Sequence, residues 1–228
     1  MRLRARDSLA ATACNNGGMA LPINSEIVLT PPVPAATVMV LRDAPEGLQV
    51  LLMRRHAKSG VLGGVHVFPG GKLDAADHTV LPTPLALPPE RLPEALAEPA
   101  LDVATAVALY MAAMRETFEE CGLRLDPASL WPWSRWVTPR QPSVTNKRFD
   151  TRFFVAPAPL GQEAVHDNHE ATEAVWLTPH QGLQRYWDGE IDLAPPQIMS
   201  LAELHRLHNV AQVLAAARSR PPALIAPE

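Results

Sequence analysis

The chain has 228 residues, a formal net charge of −4, and 47% hydrophobic and 19% charged residues. That length buries a substantial core in one domain with extensions. The acidic balance argues against non-specific binding to nucleic acid, and no apolar run reaches the length of a membrane span. Proline is the anomaly, with 24 residues against a usual share of about one in twenty. They cluster at 31–34, 82–99, 127–142, 157–159 and 221–227 and so mark connectors. Cys14 and Cys121 give neither a disulfide framework nor a metal-ligand spacing, which points to a reducing compartment.

In chain order, residues 1–34 read as a flexible leader, because the apolar part Leu9–Cys14 is too short for a signal segment. AATVMVLR (35–42) and LQVLLMR (48–54) are β-rich and form a hairpin across DAPEG. A short extended piece, His66–Phe68, leads into a Gly-Gly turn within FPGGKLDAADHTV (Phe68–Val80), a backbone shaped to sit against phosphates. Pro82, Pro84, Pro88, Pro89, Pro93 and Pro99 then leave room for at most a short helical turn. Helix begins at the N-cap Asp102 and ends at Gly122. Further strands are predicted at 133–138, 147–156 and 173–178. Helices are predicted at 179–187 and from Pro196 to about Arg218, with Pro196 at the first helical position. The domain thus runs over 35–218, with 219–228 as a tail, and a mixed sheet between helices is expected.

The helix from Asp102 carries RETFEECGL (Arg115–Leu123). With Glu116 at zero, Glu119 falls at about 300° and Glu120 at about 40°, one acidic stripe. Val103, Val107, Tyr110, Met111, Met114, Phe118 and Cys121 lie opposite and are expected to face the core. Ala108 and Ala112 leave the acidic stripe open. Like charges at i,i+4 repel, so the stripe is either a solvated face or is compensated by a hard divalent cation. Arg115, at about 260°, can lean over the carboxylates.

Together the two segments resemble the Nudix hydrolase signature: Gly, five residues, Glu, seven residues, then Arg-Glu-x-x-Glu-Glu-x-Gly and an aliphatic residue. Arg115, Glu116, Glu119, Glu120, Gly122 and Leu123 complete the second half. The first half begins at Gly71, has Asp77 where the pattern has Glu, and is separated from Arg115 by 30 residues more than in the family. LLMRRHAKSGVLGGVHVFPGG (Leu51–Gly71) is similar to the coenzyme A-type segment through Arg55, Gly64, Phe68, Pro69, Gly70 and Gly71. Gly60 stands for its second Arg, and His56 for a Ser or Ala. The acyl-coenzyme A diphosphatase branch of animal peroxisomes also has Gly at that place and an insertion inside the box. It further shares segments like RFDTRFF (Arg148–Phe154) and LAPPQ (Leu193–Gln197). The resemblance covers about 35–200.

The resemblance implies a Nudix fold, an α/β/α sandwich with a mixed sheet, a loop-helix carrying the box, and a Pro-rich insertion at about 78–101. It implies Mg²⁺ or Mn²⁺ held by the Gly71 carbonyl, Glu116, Glu119 and Glu120, with Arg115 orienting the carboxylates. Glu120, Glu170 and Glu173 all remain candidates for the general base, and Arg55, Phe68, Gly70, Gly71 and Arg148 are the expected substrate contacts. The implied activity is cleavage of coenzyme A or acyl-coenzyme A to 3′,5′-ADP and (acyl-)4′-phosphopantetheine. Two alternatives are a diphosphatase for ADP-ribose, dinucleotides or nucleotide sugars, and a Nudix-fold ligand-binding domain without catalysis. A small-molecule diphosphate is the expected partner, and a homodimer is compatible with the family. The chain ends Ala-Pro-Glu rather than in a Ser-Lys-Leu type signal, which favours the cytoplasm.

Other features have competing readings. His166 and His169 beside Asp167 and Glu170 form a polar loop or a metal cluster, the loop being favoured because two His without regular structure make a poor site. His205 and His208 read as a solvated helix face. The WPWSRW run (Trp131–Trp136) either stacks a base or buries aromatic surface at a sheet edge. Arg152 pairs with a phosphate or with an acid of the protein. The insertion is expected to form a lid or wall beside the substrate, or a subunit contact.

Overall fold

The hairpin at the centre of the molecule is apolar on both sides. In β1 (Val33–Ala44), Val38 and Val40 face one core while Met39 and Leu41 face another. In β2 (Gly47–Arg55), Leu51 and Met53 face the first core and Leu48, Val50 and Leu52 the second. A strand covered on both faces reads as a continuous apolar run, which explains AATVMVL and LQVLLM. This is a computed structural model, and it describes residues 26–57, 59, 62–79, 84–141, 147–166 and 170–227. Most of the expected leader, Gly60, Asp167 and His169 lie outside the described residues.

β1 pairs antiparallel with β2 from Leu41↔Val50 to Ala44↔Gly47. Its other edge runs parallel to β6 (Phe149–Pro157) from Val33↔Phe149 to Leu41↔Pro157. β6 is antiparallel to β5 (Trp131–Val137), and β5 is parallel to β8 (Ala223–Ile225). β2 also pairs with β3 (His66–Val67) and β7 (Ala171–Leu177). β4 (Gly70–Lys72) lies along the start of β1. The expected Gly-Gly turn is therefore a short strand, because β1 offers it an unpaired edge at Ala35–Thr37.

Helices α1 (Leu92–Ala95) and α2 (Val103–Cys121) cover one face of this eight-stranded mixed sheet. Helices α3 (Pro179–Trp187), α4 (Pro195–Leu204) and α5 (Val210–Ser219) cover the other, giving the α/β/α sandwich. No described helix is long and apolar enough to cross a membrane. Both ends of α2 are as read from the sequence: Thr105 N–H donates to Asp102 Oδ1 at 2.8 Å, and Gly122 closes the helix at φ 71°.

Four expectations need correction. Tyr110, Met111 and Cys121 are buried and Val107 and Met114 pack against the first core as expected, but Val103 and Phe118 are exposed. Ala106, Leu109, Ala113 and Thr117, all 0% exposed, extend the buried side as far as the acidic stripe, because small residues let this helix lie close to the sheet. The single helix expected after Pro196 begins at Pro195 and is broken between Leu204 and Val210. Asn209 leaves helical geometry at φ −153° to cap α5, and Asp43 of the hairpin accepts from Val210 N–H at 2.9 Å. The tail contains β8, and the leader's last residues belong to the sheet, since Val33 and Pro34 open β1.

Among the described residues of the insertion, none lines the cavity beside the Gly-Gly segment. Leu92 and Leu96 instead join the core under α2, with Leu85 and Leu87 packed against it. Its end is tied down by charge. Glu98 receives Arg152 Nε at 2.9 Å and Nη2 at 2.6 Å, together with Arg135 Nη1 at 2.7 Å. Both arginines also grip Asp150, at 2.7 and 3.0 Å. Arg152 thus pairs with acids of the protein, the second of its two sequence readings.

Candidate active site

The two glycines behind Phe68-Pro69 are required by close approach. A Cβ on Gly70, which sits at φ 156°, would collide with Thr37 Oγ1 and the Ala36 carbonyl of β1. A Cβ on Gly71 would occupy the place of the Glu116 carboxylate. Glycine alone lets β4 run between β1 and the end of α2. Gly70 N–H then donates to Glu120 Oε2 at 3.0 Å, which joins the two halves of the sequence motif.

Arg115 organises the rest. Its Nε and Nη2 donate to Asp77 Oδ1 and Oδ2 at 2.8 and 3.0 Å, a bidentate fork. Nη1 donates to Glu119 Oε2 at 2.8 Å and lies 3.0 Å from Glu116 Oε1, while Nη2 also reaches the Lys72 carbonyl at 3.1 Å. The paired acids push the guanidinium further above its ordinary range, Asp77 contributing most. Asp77, though one methylene shorter than the family's Glu, therefore reaches the site. It is 1% exposed, and its Oδ2 also accepts from Asp74 N–H at 2.8 Å. Asp77→Ala is expected to lower stability by about 2 kcal/mol, the scale of hydrogen bonds to a charged group. Urea unfolding reads this, and a variant as stable as the parent would contradict it.

Burial drives the electrostatics of the box. Glu120 is 6% exposed, and desolvation pushes its carboxyl up to about 7, opposed by the Gly70 N–H and by Arg55. Glu116 is raised for the same reason, against the pull of Arg115. Glu170 adds to the rise of both and so belongs to this neighbourhood. Glu173 does not. It pairs in register with Arg54 on the opposite face of the sheet, and its Oε2 lies 3.5 Å from Nε2 of the buried His66. Burial lowers the pKa of that histidine.

A cavity of about 540 Å³ opens beside Gly70, Gly71 and Lys72. Arg55 and Phe68 line it, as does Trp136 of the tryptophan run, while Trp131 and Trp133 pack into the second core. Arg148 is not in its wall: its Nε and Nη1 donate to the carbonyls of Thr138 and Thr30 at 3.0 and 3.2 Å. The sequence did not single out Lys72, Lys147 and Gln197, which also line the cavity. For Gln197 the available signal was the LAPPQ segment. His205 and His208 lie in the break between α4 and α5 rather than on a helix face, and the His205 ring packs edge-on against His180 with centroids 5.6 Å apart. Among the described residues, no group of three or more His, Cys, Asp or Glu side chains converges as a ready metal cluster. The box carboxylates are instead turned toward Arg115 and Gly70.

The sequence profile of the NUDT19 Nudix domain matches residues 125–207, a stretch that begins just beyond α2. The acyl-coenzyme A diphosphatase NUDT19 of Gallus gallus is 27% identical over 238 residues, covering 70% of this chain and 62% of that protein. Its Homo sapiens counterpart is also 27% identical, over 74% and 62%. The chain thus spans about three fifths of the length of the curated relatives it matches. Among solved structures, a Nudix hydrolase from Alicyclobacillus acidocaldarius shares the fold with TM-score 0.67 at 24% identity, over 82% of this chain and 97% of that one. The Nudix domain of Shewanella oneidensis NrtR, solved with ADP-ribose, gives 0.52 at 13%, over 78% and 88%. With its interrupted box brought together by Gly70, Asp77 and Arg115, the chain has the fold of a solved Nudix hydrolase and is similar over residues 125–207 to the NUDT19 Nudix domain.

Proposed function

We propose that the chain cleaves the diphosphate of coenzyme A or its acyl esters, giving 3′,5′-ADP and (acyl-)4′-phosphopantetheine. One observation carries this most. The cavity beside the box glycines combines cations (Arg55, Lys72, Lys147) with aromatic and proline walls (Phe68, Trp136, Phe149, Pro195, Pro196). Such a lining suits a ligand with phosphates at one part and flat or apolar groups elsewhere. The names of the relatives support the coenzyme A side of the reading.

Nudix hydrolases generally need a divalent metal, and the residues here fit one. The donors are all oxygens, Gly71 lacks the Cβ that would displace Glu116, and Glu116 and Glu119 share one compensating guanidinium. Glu116, Glu119, Glu120 and the Gly71 carbonyl would hold Mg²⁺ or Mn²⁺, which would neutralise charge on the diphosphate and acidify a water. Arg115, held by Asp77, fixes the angle of Glu116 and Glu119, and the Gly70 N–H fixes Glu120. A water oxygen bonds to phosphorus, the bridging P–O bond breaks, and the water's proton passes to a carboxylate. Glu120 and Glu170 share the neighbourhood where that transfer occurs, while Glu173 is engaged by His66. A reducing cytoplasm is part of this reading, in keeping with the buried free thiol of Cys121.

The test is a panel of diphosphates with Mg²⁺ and with Mn²⁺: coenzyme A, acetyl- and long-chain acyl-coenzyme A, ADP-ribose, a dinucleoside polyphosphate and a nucleotide sugar. Coenzyme A compounds are expected to show a kcat/KM about tenfold or more above the rest, the scale of one specific contact. Faster ADP-ribose cleavage would move the assignment to that substrate, and tight binding without turnover of any member would make the domain a non-catalytic binder.

A further inference from the structure

The residues after α5 are held to the sheet by side chains as well as by backbone. α5 ends at Ser219, and Arg220 is extended at φ −131°. Arg218 Cζ lies 5.0 Å from the ring centre of Trp131, and Arg220 Cζ lies 4.0 Å from that of Trp133. Arg220 Nη2 also donates to Glu203 Oε2 of α4 at 3.0 Å. Pro221 and Pro222 then restrict the chain to a stiff course into β8. All of this lies beyond residues 125–207, so likeness to the NUDT19 profile does not account for it.

β8 completes a row of residues that crosses the sheet at one level. Lys72 of β4 stands opposite Ala35 of β1, and Ala35 opposite Thr151 of β6. Thr151 stands opposite Trp136 of β5, and Trp136 opposite Ile225 of β8. Directly opposed residues point to the same side of a sheet, and Lys72, Ala35, Thr151 and Trp136 all line the cavity. The row is therefore the cavity floor, and Pro227, two residues past Ile225, lines its far side. Four strand spacings put Ile225 about 19 Å from Lys72. The chemistry changes along the row: Lys72 marks the box end, Thr151 lies midway, and Trp136, Pro139 and Pro227 make the far end apolar. Lys147 also lines the cavity but stands off the row, four residues before Thr151.

An extended 4′-phosphopantetheine arm measures about 16 Å from phosphorus to sulfur at ordinary bond lengths. With its phosphate at Lys72, its sulfur comes level with the gap between Trp136 and β8, and an acyl group on that sulfur meets Pro227. We propose that Ala223–Pro227 is a specificity-determining wall, which packs against the acyl group of a thioester substrate and favours acyl chains over the free thiol. The inference rests on the reading of this cavity as a coenzyme A site. Each methylene that leaves water on binding strengthens affinity by up to about fourfold, so the preference grows with chain length.

Calorimetry in Mg²⁺ measures binding of 4′-phosphopantetheine, its hexanoyl thioester and 3′,5′-ADP to the full chain, to Pro227→Asp and to a chain lacking 223–228. None of the three ligands contains a diphosphate, so binding is read without turnover. The parent is expected to bind the thioester about tenfold more tightly than the thiol, less than complete burial of the acyl chain would give, because Pro227 is itself exposed. Pro227→Asp should bring that ratio close to one. Reading the ratio cancels any effect of the new charge on the shared phosphate. The shortened chain should behave alike, and 3′,5′-ADP should bind both variants as it binds the parent. A merely structural tail would instead weaken all three ligands together, which overturns the proposal. Equal binding of thiol and thioester by the parent overturns it without any variant, as does a ratio that survives in Pro227→Asp. Variants that weaken 3′,5′-ADP alone would place the base at β8 and overturn the acyl assignment. Absence of binding by either phosphopantetheine compound at millimolar concentration overturns the inference together with the coenzyme A reading. Turnover of the diphosphate panel is read separately: a Pro227-dependent ratio without cleavage of coenzyme A compounds would refute the hydrolase reading and leave the acyl wall standing.

Discussion

Replacing Glu120 by Gln is expected to move activity and stability in opposite directions. Metal-dependent turnover should fall by roughly 10²- to 10³-fold, the scale of removing one charge-stabilising group from an active site. Stability without metal should rise. The carboxyl has an ordinary value of 4.5 and is pushed by burial to about 7 in the folded chain. Below pH 4.5 it is protonated in both states and costs nothing. As pH climbs through 7, the folded protein must ionise a carboxylate that is only 6% exposed, and the stability held by its acid form is lost. The full loss is about 3 kcal/mol at most. The amide introduced by Glu120→Gln would stay neutral throughout. In EDTA, the parent should therefore weaken between pH 5 and 8 relative to Glu120→Gln, and a divalent cation should reverse this. Urea midpoints that run parallel for the two proteins across that range would contradict the burial argument.

Arg152→Ala is expected to be the most damaging change away from the box, with a stability loss of about 3–5 kcal/mol. The guanidinium is nine-tenths buried and bridges Glu98 at the end of the insertion to Asp150 in β6. Removing it leaves two buried acids facing each other with only Arg135 between them. Arg135→Ala should cost less, because that side chain is 27% exposed and water can replace part of it. In the double variant Glu98→Ala/Arg152→Ala the losses should be far from additive, since one interaction is removed twice. Additive losses in chemical denaturation would show that the insertion is not anchored through this pair.

Local grammar was legible in the sequence where it is written in single residues. Asp102 and Gly122 delimit α2 at both ends, α3 spans Pro179–Trp187 as expected, and the apolar runs of β1 and β2 announce a hairpin. What escaped depends on distant partners. His205–Asn209 contains neither glycine nor proline, so the break after α4 is invisible until Asp43 is seen to take the first N–H of α5. The burial of Glu120 also ran against hydrophobic patterning, which expects acids to face water. Here a glycine backbone brought in from 50 residues away supplies the donor. The cavity is similar in kind: Thr37, Trp136, Phe149 and Gln197 come from four elements or their flanks, and no spacing in the chain relates them.

The interruption between Asp77 and Arg115 has a thermodynamic reading. The two residues are joined by a bidentate contact across an intervening stretch of 37 residues, 78–114. The entropy of closing a chain segment grows only with the logarithm of its length, so stretching the interval from seven residues to this one costs about 1.5 kcal/mol. Burial of Leu92 and Leu96 beneath α2 is enough to offset a cost of that size. A catalytic motif whose halves meet through space can thus absorb added length at small thermodynamic expense. For this fold, the constraint is the meeting of Gly70, Asp77 and Arg115 rather than the count of residues between them.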